Sequence, residues 1–371
     1  MRDVGAYGVV VAADLVGADA RCQDSPQLQS ALAEVEKCAT EATRLEATGV
    51  TRADIDRLAF VGVLSAGVTD EWTPSQAREL QERLAAASGA LWFVMTQHRS
   101  PAVAAQETRN RALRERYAQP LATGSMLGAV SFAHLRRPRP SVVAKRVDGG
   151  WQVSGQLDWI TSWGLADVLL LMAETDDGQV VQMLFPASER AGLTIVGELS
   201  LAAMQGTSTV GAILEDLRVP DSEVAHVLAK RDWLAADGQR SGNVPPAVVG
   251  LARAALNSLL AAAAQRRWPE AAGLAKRWRK QLVGLRARAY YLADEVEAAE
   301  SLGERLEIRG ALTRLAQDIT SMAVAAQGGR AMVMSSPEQR WAREALFSLV
   351  QAQTLATRNA LIASYLGPAT D

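Results

Sequence analysis

The sequence predicts an α+β protein in which a helical region, a β region and a second helical region follow one another. Residues 26–120 carry apolar side chains at spacings of three and four, the period of amphipathic helices. From about Thr123 to Val219 this period shortens towards two, and beyond Pro245-Pro246 the helical spacing returns. We therefore predict an N-terminal α-helical domain at 1–122, a middle β-barrel domain at 123–225 and a C-terminal four-helix bundle at 226–371.

Helix and turn signals agree with this order. Ser25-Pro26 and Thr73-Pro74 each place a capping hydroxyl before a proline, which is typical of the first turn of a helix. In the middle region, Asp148-Gly149-Gly150 separates two alternating runs and predicts a hairpin. The strands expected there are SVVAKRV, GWQVSG, DVLLLMAE, VVQMLFP and LTIVGEL.

The composition argues against several classes of protein. The chain has 371 residues, 49% of them apolar, and a formal net charge of −2, which is unlike a nucleic-acid binder. Its two cysteines, Cys22 and Cys38, are too few for a disulfide framework or a zinc site. Residues 1–20 do not resemble a signal peptide, and no apolar run reaches the length of a membrane span. We expect a soluble cytoplasmic protein without a metal, nucleic-acid or membrane partner.

Three runs of residues suggest chemistry. The first, in the β region, contains Gly155, Trp159-Ile160-Thr161 and Ala166-Asp167 in a strand–turn–strand pattern. The second is LEDLRVPDSEV at 214–224. The third, near the end of the chain, carries Gly328, Gly329, Pro337, Arg343, Glu344 and Thr354. In order and spacing these runs resemble the acyl-CoA dehydrogenase family. The resemblance implies that family's helix–β–helix fold, a flavin cofactor and an acyl thioester substrate bound as coenzyme A or carrier-protein ester.

The resemblance also implies positions for FAD, with FMN or an empty site as the alternatives. In the family the Trp-Ile-Thr run lies against the flavin ring, where the indole excludes water and the hydroxyl polarises the ring. Taken alone, Trp159 is equally compatible with a core tryptophan. The family's Thr-Glu-Pro run is Ala133-His134-Leu135 here, and its Arg-x-x-Phe-Gly run is absent, so we expect weakened flavin binding. The implied cofactor-binding residues are Ser131, Ala133, Trp159, Thr161, Gly328, Gly329 and Thr354.

The catalytic carboxylate of the family has no counterpart in this alignment. Matching Pro337, Arg343 and Thr354 without gaps places Ala352 where most of the family has glutamate. The position that a minority of the family uses instead falls at residues 240–243, Arg-Ser-Gly-Asn, again without a carboxylate. Removal of a proton next to a thioester requires a base within hydrogen-bond reach, so the catalytic residue is unknown from the sequence.

Other side chains near these positions offer partial substitutes. Gln351 and Gln353 flank Ala352, but an amide cannot serve as a general base. His134 is the candidate base, because it follows the flavin-facing strand of the resemblance. For His134 and for His98 alike, a local structural role is the alternative.

Two basic segments have different expected roles. Arg136, Arg137 and Arg139 alternate with prolines in a rigid loop, which is either solvated surface or a site for the phosphates of a pantetheine arm. A later helix carries a basic run that we expect to be an exposed face, formed by Lys276, Arg277, Arg279, Lys280, Arg286 and Arg288.

Three functions remain open from the sequence. The first is a flavin-dependent oxidoreductase that acts on an acyl thioester or related small substrate without the usual glutamate. The second is a flavin monooxygenase on the same scaffold, and the third is a non-catalytic subunit that partners an active acyl-CoA dehydrogenase. Apolar helices beyond residue 245 predict a homodimer or homotetramer, with a hetero-oligomer as the alternative.

Overall fold

The computed structural model describes residues 14–366 of the chain. In this range the chain forms eleven α-helices and eight β-strands, in the predicted order of N-terminal helices, central β-sheet domain and C-terminal helical domain. The predicted α+β fold class is therefore confirmed. The prediction that no signal peptide is present falls mainly on residues 1–13, which lie outside the described residues.

The N-terminal helices begin where the sequence signals place them. The Ser25 hydroxyl accepts the Leu28 N–H at the start of α1, and Thr73 forms a capping box with Gln76 at the start of α3. Serine 88 ends α3 and caps α4, so these two helices meet at a single residue. The helices are α1 (Pro26–Thr48), α2 (Arg52–Phe60), α3 (Pro74–Ala87), α4 (Gly89–Glu107) and α5 (Arg111–Thr123).

The central sheet follows the order β6-β7-β3-β2-β4-β5-β8, with β1 pairing in parallel to β4. The predicted hairpin joins β2 and β3 through Asp148-Gly149, where Gly149 takes a φ of 72° that suits glycine. The last strand reaches Ala229, four residues beyond the predicted limit at 225, and the domain limits themselves stay a prediction. The strands are β1 (Gly128–Ser131), β2 (Val142–Val147), β3 (Gly150–Ile160), β4 (Val168–Glu174), β5 (Gln179–Pro186), β6 (Leu193–Glu198), β7 (Val210–Pro220) and β8 (Val224–Ala229).

The C-terminal helices pack around α9, which contacts α7, α8, α10 and α11. Close approach is possible because glycines lie at two crossings. Gly250 of α7 faces the Glu82 backbone oxygen of α3, and Gly310 of α9 faces the Ala360 backbone oxygen of α11, so neither position has room for a Cβ. The helices are α6 (Lys230–Gly242), α7 (Pro246–Gln265), α8 (Pro269–Glu295), α9 (Ala298–Gln327), α10 (Pro337–Ser348) and α11 (Leu355–Leu366).

One described stretch, Lys230–Gln265, is long and apolar enough to cross a membrane by length and composition alone. Within the fold, however, 67% of its most apolar window is buried. The stretch comprises α6 and α7, and α7 packs against α3, α8 and α9. It therefore has the burial of a core helix.

The prediction that the basic run on α8 forms an exposed face is wrong at one position, Arg286. Arg286 is 3% exposed, and its guanidinium lies 3.3 Å from the equally buried carboxylate of Glu82. Arg253 of α7 and the Tyr290 hydroxyl bond to the same carboxylate at 3.0 and 2.7 Å. A spacing pattern does not distinguish this internal arginine from its exposed neighbours, because the partner carboxylate comes from α3.

Candidate functional site

Two of the residues implied to face a flavin meet at the ends of β1 and β3. The Ser131 hydroxyl donates to the Trp159 backbone oxygen at 3.3 Å, which ties together two strand ends. The Trp159 side chain is 40% exposed, so its indole is an aromatic surface open to solvent instead of part of the core. Ala133 lies in the short 3-10 turn after β1 and is exposed, but its methyl group offers no hydrogen bond.

Thr161 belongs to a chain of three buried hydroxyl groups, Thr161, Thr209 and Thr207. The Thr161 and Thr209 oxygens lie 3.0 Å apart, and those of Thr209 and Thr207 lie 2.8 Å apart. Thr207 donates its proton to the Met204 backbone oxygen, so Thr209 must donate to Thr207 and Thr161 must donate to Thr209. The Thr161 hydroxyl therefore donates its proton to Thr209, and its oxygen can only accept a further hydrogen bond.

Strained backbone surrounds the hydroxyl chain. Ser162, Met204 and Ser208 adopt φ values of 70°, 61° and 46°, a region that residues other than glycine rarely occupy. The Ser162 hydroxyl is fully buried and has no hydrogen-bond partner among the described residues. A buried unpaired hydroxyl and strained backbone both cost free energy, and such features concentrate at ligand sites.

His134 is directed into the fold. It is 6% exposed, and its Nε2 lies 2.8 Å from the Met172 backbone oxygen of β4, to which it donates. Burial lowers the pKa of His134 to about 4. These contacts hold the ring inside the fold, so the geometry matches the structural alternative for His134.

Ala352 lies in the loop between α10 and α11 and has a φ of 50°. Thr354, two residues later, caps the start of α11, because its hydroxyl accepts the Thr357 N–H at 3.2 Å. Gly328 and Gly329 follow the end of α9, and an added Cβ would meet nothing within 4 Å at either position. Open space around a glycine pair leaves the backbone accessible to a ligand.

A buried arginine connects the two positions that were predicted to match the family's carboxylate. Arg309 of α9 is 4% exposed and donates to the Gln351 backbone oxygen at 2.9 Å, next to Ala352. It also donates to the backbone oxygens of Ser241 and Asn243, in the 240–243 segment. Burial lowers the pKa of Arg309 to about 10, and no carboxylate in the described part of the chain forms an ion pair with it. Both positions thus face backbone carbonyls and a cation.

The proline-rich basic loop is partly neutralised. Arg136 donates twice to Asp237, at 2.7 and 2.8 Å, and Arg137 pairs with Asp158. Arg139 is exposed and has no partner among the described residues. Two of the three arginines predicted as a phosphate site therefore have carboxylates of this chain as partners.

A narrow apolar cavity lies where α3, α4, α7 and α10 meet. It has room for about one water molecule, far less than a ligand pocket. Trp92 and Phe347 line it, together with the buried carboxylate of Glu344 and the half-buried Gln351. The Glu344 carboxylate is already bound by the Gly89 N–H at 3.0 Å and by Arg340 at 3.1 Å.

Two of these features, the hydroxyl chain and Arg309, were not predicted from the sequence. The hydroxyl chain could have been suspected from Gly206-Thr207-Ser208-Thr209, a polar run directly before a strand. Arg309 sits in an otherwise helical pattern, and nothing in its spacing distinguishes it from a surface arginine. Its role depends on backbone oxygens that only the tertiary fold brings together.

Comparison with known proteins identifies the architecture. No family model matches the chain. Benzylmalonyl-CoA dehydrogenase of Aromatoleum aromaticum is 25% identical over 278 residues, which covers 66% of this chain and 69% of that protein. The structure of glutaryl-CoA dehydrogenase from Mycobacterium smegmatis with FADH2 has a TM-score of 0.75 at 16% identity, covering 94% of this chain and 96% of the other. Nitroalkane oxidase, crystallised with 1-nitrohexane, has a TM-score of 0.76 at 15% identity, covering 93% and 96%.

The chain therefore has the acyl-CoA dehydrogenase fold, and its sequence is distantly similar to that of benzylmalonyl-CoA dehydrogenase. Since the same fold also supports a nitroalkane oxidase, the fold alone does not define the reaction.

Proposed function

We propose that this chain is a flavin-dependent oxidoreductase of the acyl-CoA dehydrogenase type, which acts on an acyl thioester or related small substrate without a glutamate base at position 352. The observation that supports it most is the exposed indole of Trp159 at the end of β3. A tryptophan side chain is costly to leave in water, and a flat aromatic ligand would cover it.

The groups next to Trp159 in the chain support a polar edge for the proposed site. The Ser162 hydroxyl, buried without a partner among residues 14–366, lies three residues from Trp159, and the Thr161 oxygen accepts hydrogen bonds only. We propose that Trp159 covers the ring and that Ser131, Thr161, Gly328, Gly329, Thr354 and the backbone at Ala133 complete the site. A bound FAD would supply the electron acceptor. Ala133 and His134 offer fewer side-chain partners than the family's Thr-Glu-Pro, which supports weak binding.

The substrate proposal follows from the relatives' names and from position 352. Those names specify coenzyme A esters in two cases and a nitroalkane in the third. All three substrates are small molecules with an activated carbon–hydrogen bond. In this chain Ala352 contributes no proton acceptor, so we propose that conventional dehydrogenation of straight-chain acyl-CoA esters is slow, by about 10²–10⁴ relative to an enzyme with the base.

The visible absorption spectrum of the purified protein tests the cofactor. We expect a flavin spectrum after incubation with FAD, and a Kd at least tenfold higher in Trp159→Ala, since about 1.4 kcal/mol of contact is lost. Trp268→Ala is a matched control, because Trp268 is 38% exposed, close to the 40% of Trp159, and lies at the start of α8. Equal losses in both variants, or no flavin binding by the wild-type protein, would contradict the proposal.

Anaerobic bleaching of the flavin by acyl-CoA esters then tests the role of position 352. We expect slow bleaching in the wild-type protein and faster bleaching in Ala352→Glu, provided that the new carboxylate stays clear of Arg309. Fast bleaching by the wild-type protein would show that another residue accepts the proton.

A second candidate function is a non-catalytic subunit that partners an active acyl-CoA dehydrogenase. The narrow cavity favours it, because room for about one water molecule is too little for a substrate to bind there. This candidate predicts no flavin spectrum at any FAD concentration and recovery of activity on mixing with an active homologue. A flavin-loaded wild-type protein that oxidises a substrate alone would exclude it.

A further inference from the structure

The outer face of α8 carries unpaired charges of opposite sign towards its two ends. Three exposed cations in the first half of the helix have no ion-pair or hydrogen-bond partner among the described residues, and we name them the basic half: Lys276, Arg277 and Lys280. Three exposed carboxylates at the end of α8 and the start of α9 are equally without a partner in that range, and we name them the acidic end: Glu295, Glu297 and Glu300.

These two sets of charges do not neutralise each other within one chain. An α-helix rises about 1.5 Å per residue, so Lys280 and Glu295 lie about 22 Å apart along α8. Between them, Arg288 does have a partner, because it bonds the Glu304 carboxylate of α9 at 2.6 Å. The basic half and the acidic end therefore meet either solvent or another molecule.

Small residues occupy the middle of the same face. Gly284 and Ala287 are exposed, and they follow Lys276 and Lys280 at spacings of four and three residues, which keeps all four on one side of the helix. A Cβ at Gly284 would meet nothing within 4 Å, so no contact with the described residues requires glycine, although glycine destabilises a helix interior relative to alanine. Small side chains let the axis of a second helix approach closely.

A second copy of α8 complements this whole face. In a contact with two-fold symmetry both chains use the same surface, and every pair of residues occurs twice. If the axis passes near Ala287, the two helices run antiparallel, and Arg277 of one chain lies beside Glu297 of the other. The basic half then faces the acidic end on both sides of the axis. A purely acidic partner would suit the basic half but would be repelled by the acidic end, so a second copy fits the face better.

The weakness of exposed ion pairs limits where this contact can act. Each pair contributes little in water and is screened by salt. One such contact would not hold two chains together at micromolar concentration. In a tetramer with three two-fold axes, however, the contact occurs twice between the same two dimers, so its two copies act together.

We propose that the outer face of α8 is the salt-sensitive contact between the two dimers of a homotetramer, in which the basic half of each helix binds the acidic end of its counterpart. A separate, apolar surface holds each dimer together. On this proposal the assembly is a homotetramer and not a homodimer. The inference does not rest on the proposed flavin chemistry, because the assembly is measured without cofactor or substrate.

Light scattering of the wild-type protein at micromolar concentration tests the contact first. The Debye length falls from about 10 Å in 0.1 M salt to about 3 Å in 1 M salt, so we expect a tetramer at the lower concentration and a dimer at the higher one. A dimer or monomer in the lower salt, or a tetramer that persists in the higher salt, would overturn the proposal.

Reversal of the charges then tests the pairing. We expect Arg277→Glu/Lys280→Glu and Glu295→Lys/Glu297→Lys each to be a dimer in the lower salt, with unchanged circular dichroism, because all four side chains are exposed and unpaired among the described residues. An equal mixture of the two variants should form tetramers again, since one variant presents only carboxylates and the other only cations. A mixture that stays dimeric would show that these charges do not meet.

Arg109→Glu/Arg114→Glu is the matched control. Both residues lie at the start of α5, are exposed and have no ion-pair partner in the described part of the chain, and their reversal changes the net charge by the same amount. We expect this variant to remain a tetramer. Dissociation equal to that of Arg277→Glu/Lys280→Glu would mean that net charge, and not the face of α8, controls the assembly, and the proposal would be wrong.

Discussion

His98 joins three elements through one neutral imidazole ring. Its Nε2 donates to the Leu121 backbone oxygen of α5 at 2.8 Å, and its Nδ1 accepts the Gly128 N–H of β1 at 3.1 Å. The ring itself belongs to α4 and is 1% exposed. Because the Gly128 N–H can only donate, Nδ1 must be unprotonated. Burial lowers the pKa of His98 to about 4, so the structure requires the neutral form.

This requirement predicts a loss of stability in mild acid. Between pH 6.5, the ordinary pKa of histidine, and pH 4, the unfolded chain binds a proton at His98 that the folded protein does not. The stabilisation is complete above pH 6.5 and is lost as the pH falls towards 4. We expect His98→Gln, whose amide can replace both hydrogen bonds, to lose about 2 kcal/mol less between pH 7.5 and pH 5 than the wild type. Urea unfolding at the two pH values measures this difference. The same pH dependence in both proteins would contradict it.

At the scale of single residues, the sequence predicted which residue types occupy the site better than it predicted the directions of their side chains. It showed that position 352 holds alanine, which is a property of the residue itself, whereas the predicted strand GWQVSG ended before Trp159, which lies inside β3. It did not predict that His134 turns inward while its neighbour Ala133 is exposed, because a 3-10 turn after β1 sets those directions. It also missed Arg309, whose partners lie in two segments far apart in the chain.

At the scale of elements, α10 holds the junction of α3 and α4. The Glu344 carboxylate accepts the N–H of Gly89, the first residue of α4, and Trp341 donates its indole N–H to the Ala86 backbone oxygen at 2.9 Å. A Cβ at Gly89 would lie 2.6 Å from the Glu344 carboxylate carbon, so a larger residue there would displace this contact. A carboxylate at the N-terminus of a helix is also favoured by the helix dipole.

This contact predicts a large effect of removing Glu344. Glu344→Ala would leave the buried Arg340 guanidinium without its carboxylate and the Gly89 N–H without an acceptor. We expect the free energy of unfolding to fall by about 3–5 kcal/mol, as for other broken buried ion pairs. The exposed pair of Arg111 and Glu115 is the control, and Glu115→Ala should cost less than about 0.5 kcal/mol. Equal small losses in both variants, measured by urea unfolding, would show that Glu344 is not a structural contact.

Elements with strong local signals were predicted well. Helix starts and the hairpin turn depend on contacts between neighbouring residues. The predicted boundaries agree with the structure at Ser25-Pro26, Thr73-Pro74 and Asp148-Gly149. Strand β8 was not among the predicted strands, because its pairing partner β5 lies more than forty residues earlier and the alternation of apolar residues is weak there. Caps and turns are determined by neighbouring residues, whereas sheet order depends on segments far apart in the chain.

At the scale of the molecule, α11 leaves most of its apolar surface uncovered. Thr357 is its one buried residue within the described range, whereas Leu355, Ile362, Tyr365 and Leu366 are each more than half exposed. Leu346 and Val350, at the end of α10, are also more than half exposed, and both helices pack on α9. A monomer rarely leaves so many large apolar side chains in water on neighbouring helices. This surface, named the α10–α11 surface, supports the proposed oligomer.

Substitution of the α10–α11 surface should therefore dissociate the assembly. We propose a homodimer or homotetramer, since most homo-oligomers have two-fold symmetry and a two-fold contact pairs this surface with itself. In Leu355→Lys/Ile362→Lys, two like charges from each chain would face each other in an apolar interface, so the protein should become a monomer with unchanged circular dichroism. Val196→Lys, which adds a lysine at a 64% exposed position on β6, should leave the assembly intact. Light scattering at micromolar concentration measures all three proteins. A wild-type monomer would contradict the self-association, and it would leave the α10–α11 surface to a different chain, as the non-catalytic subunit requires.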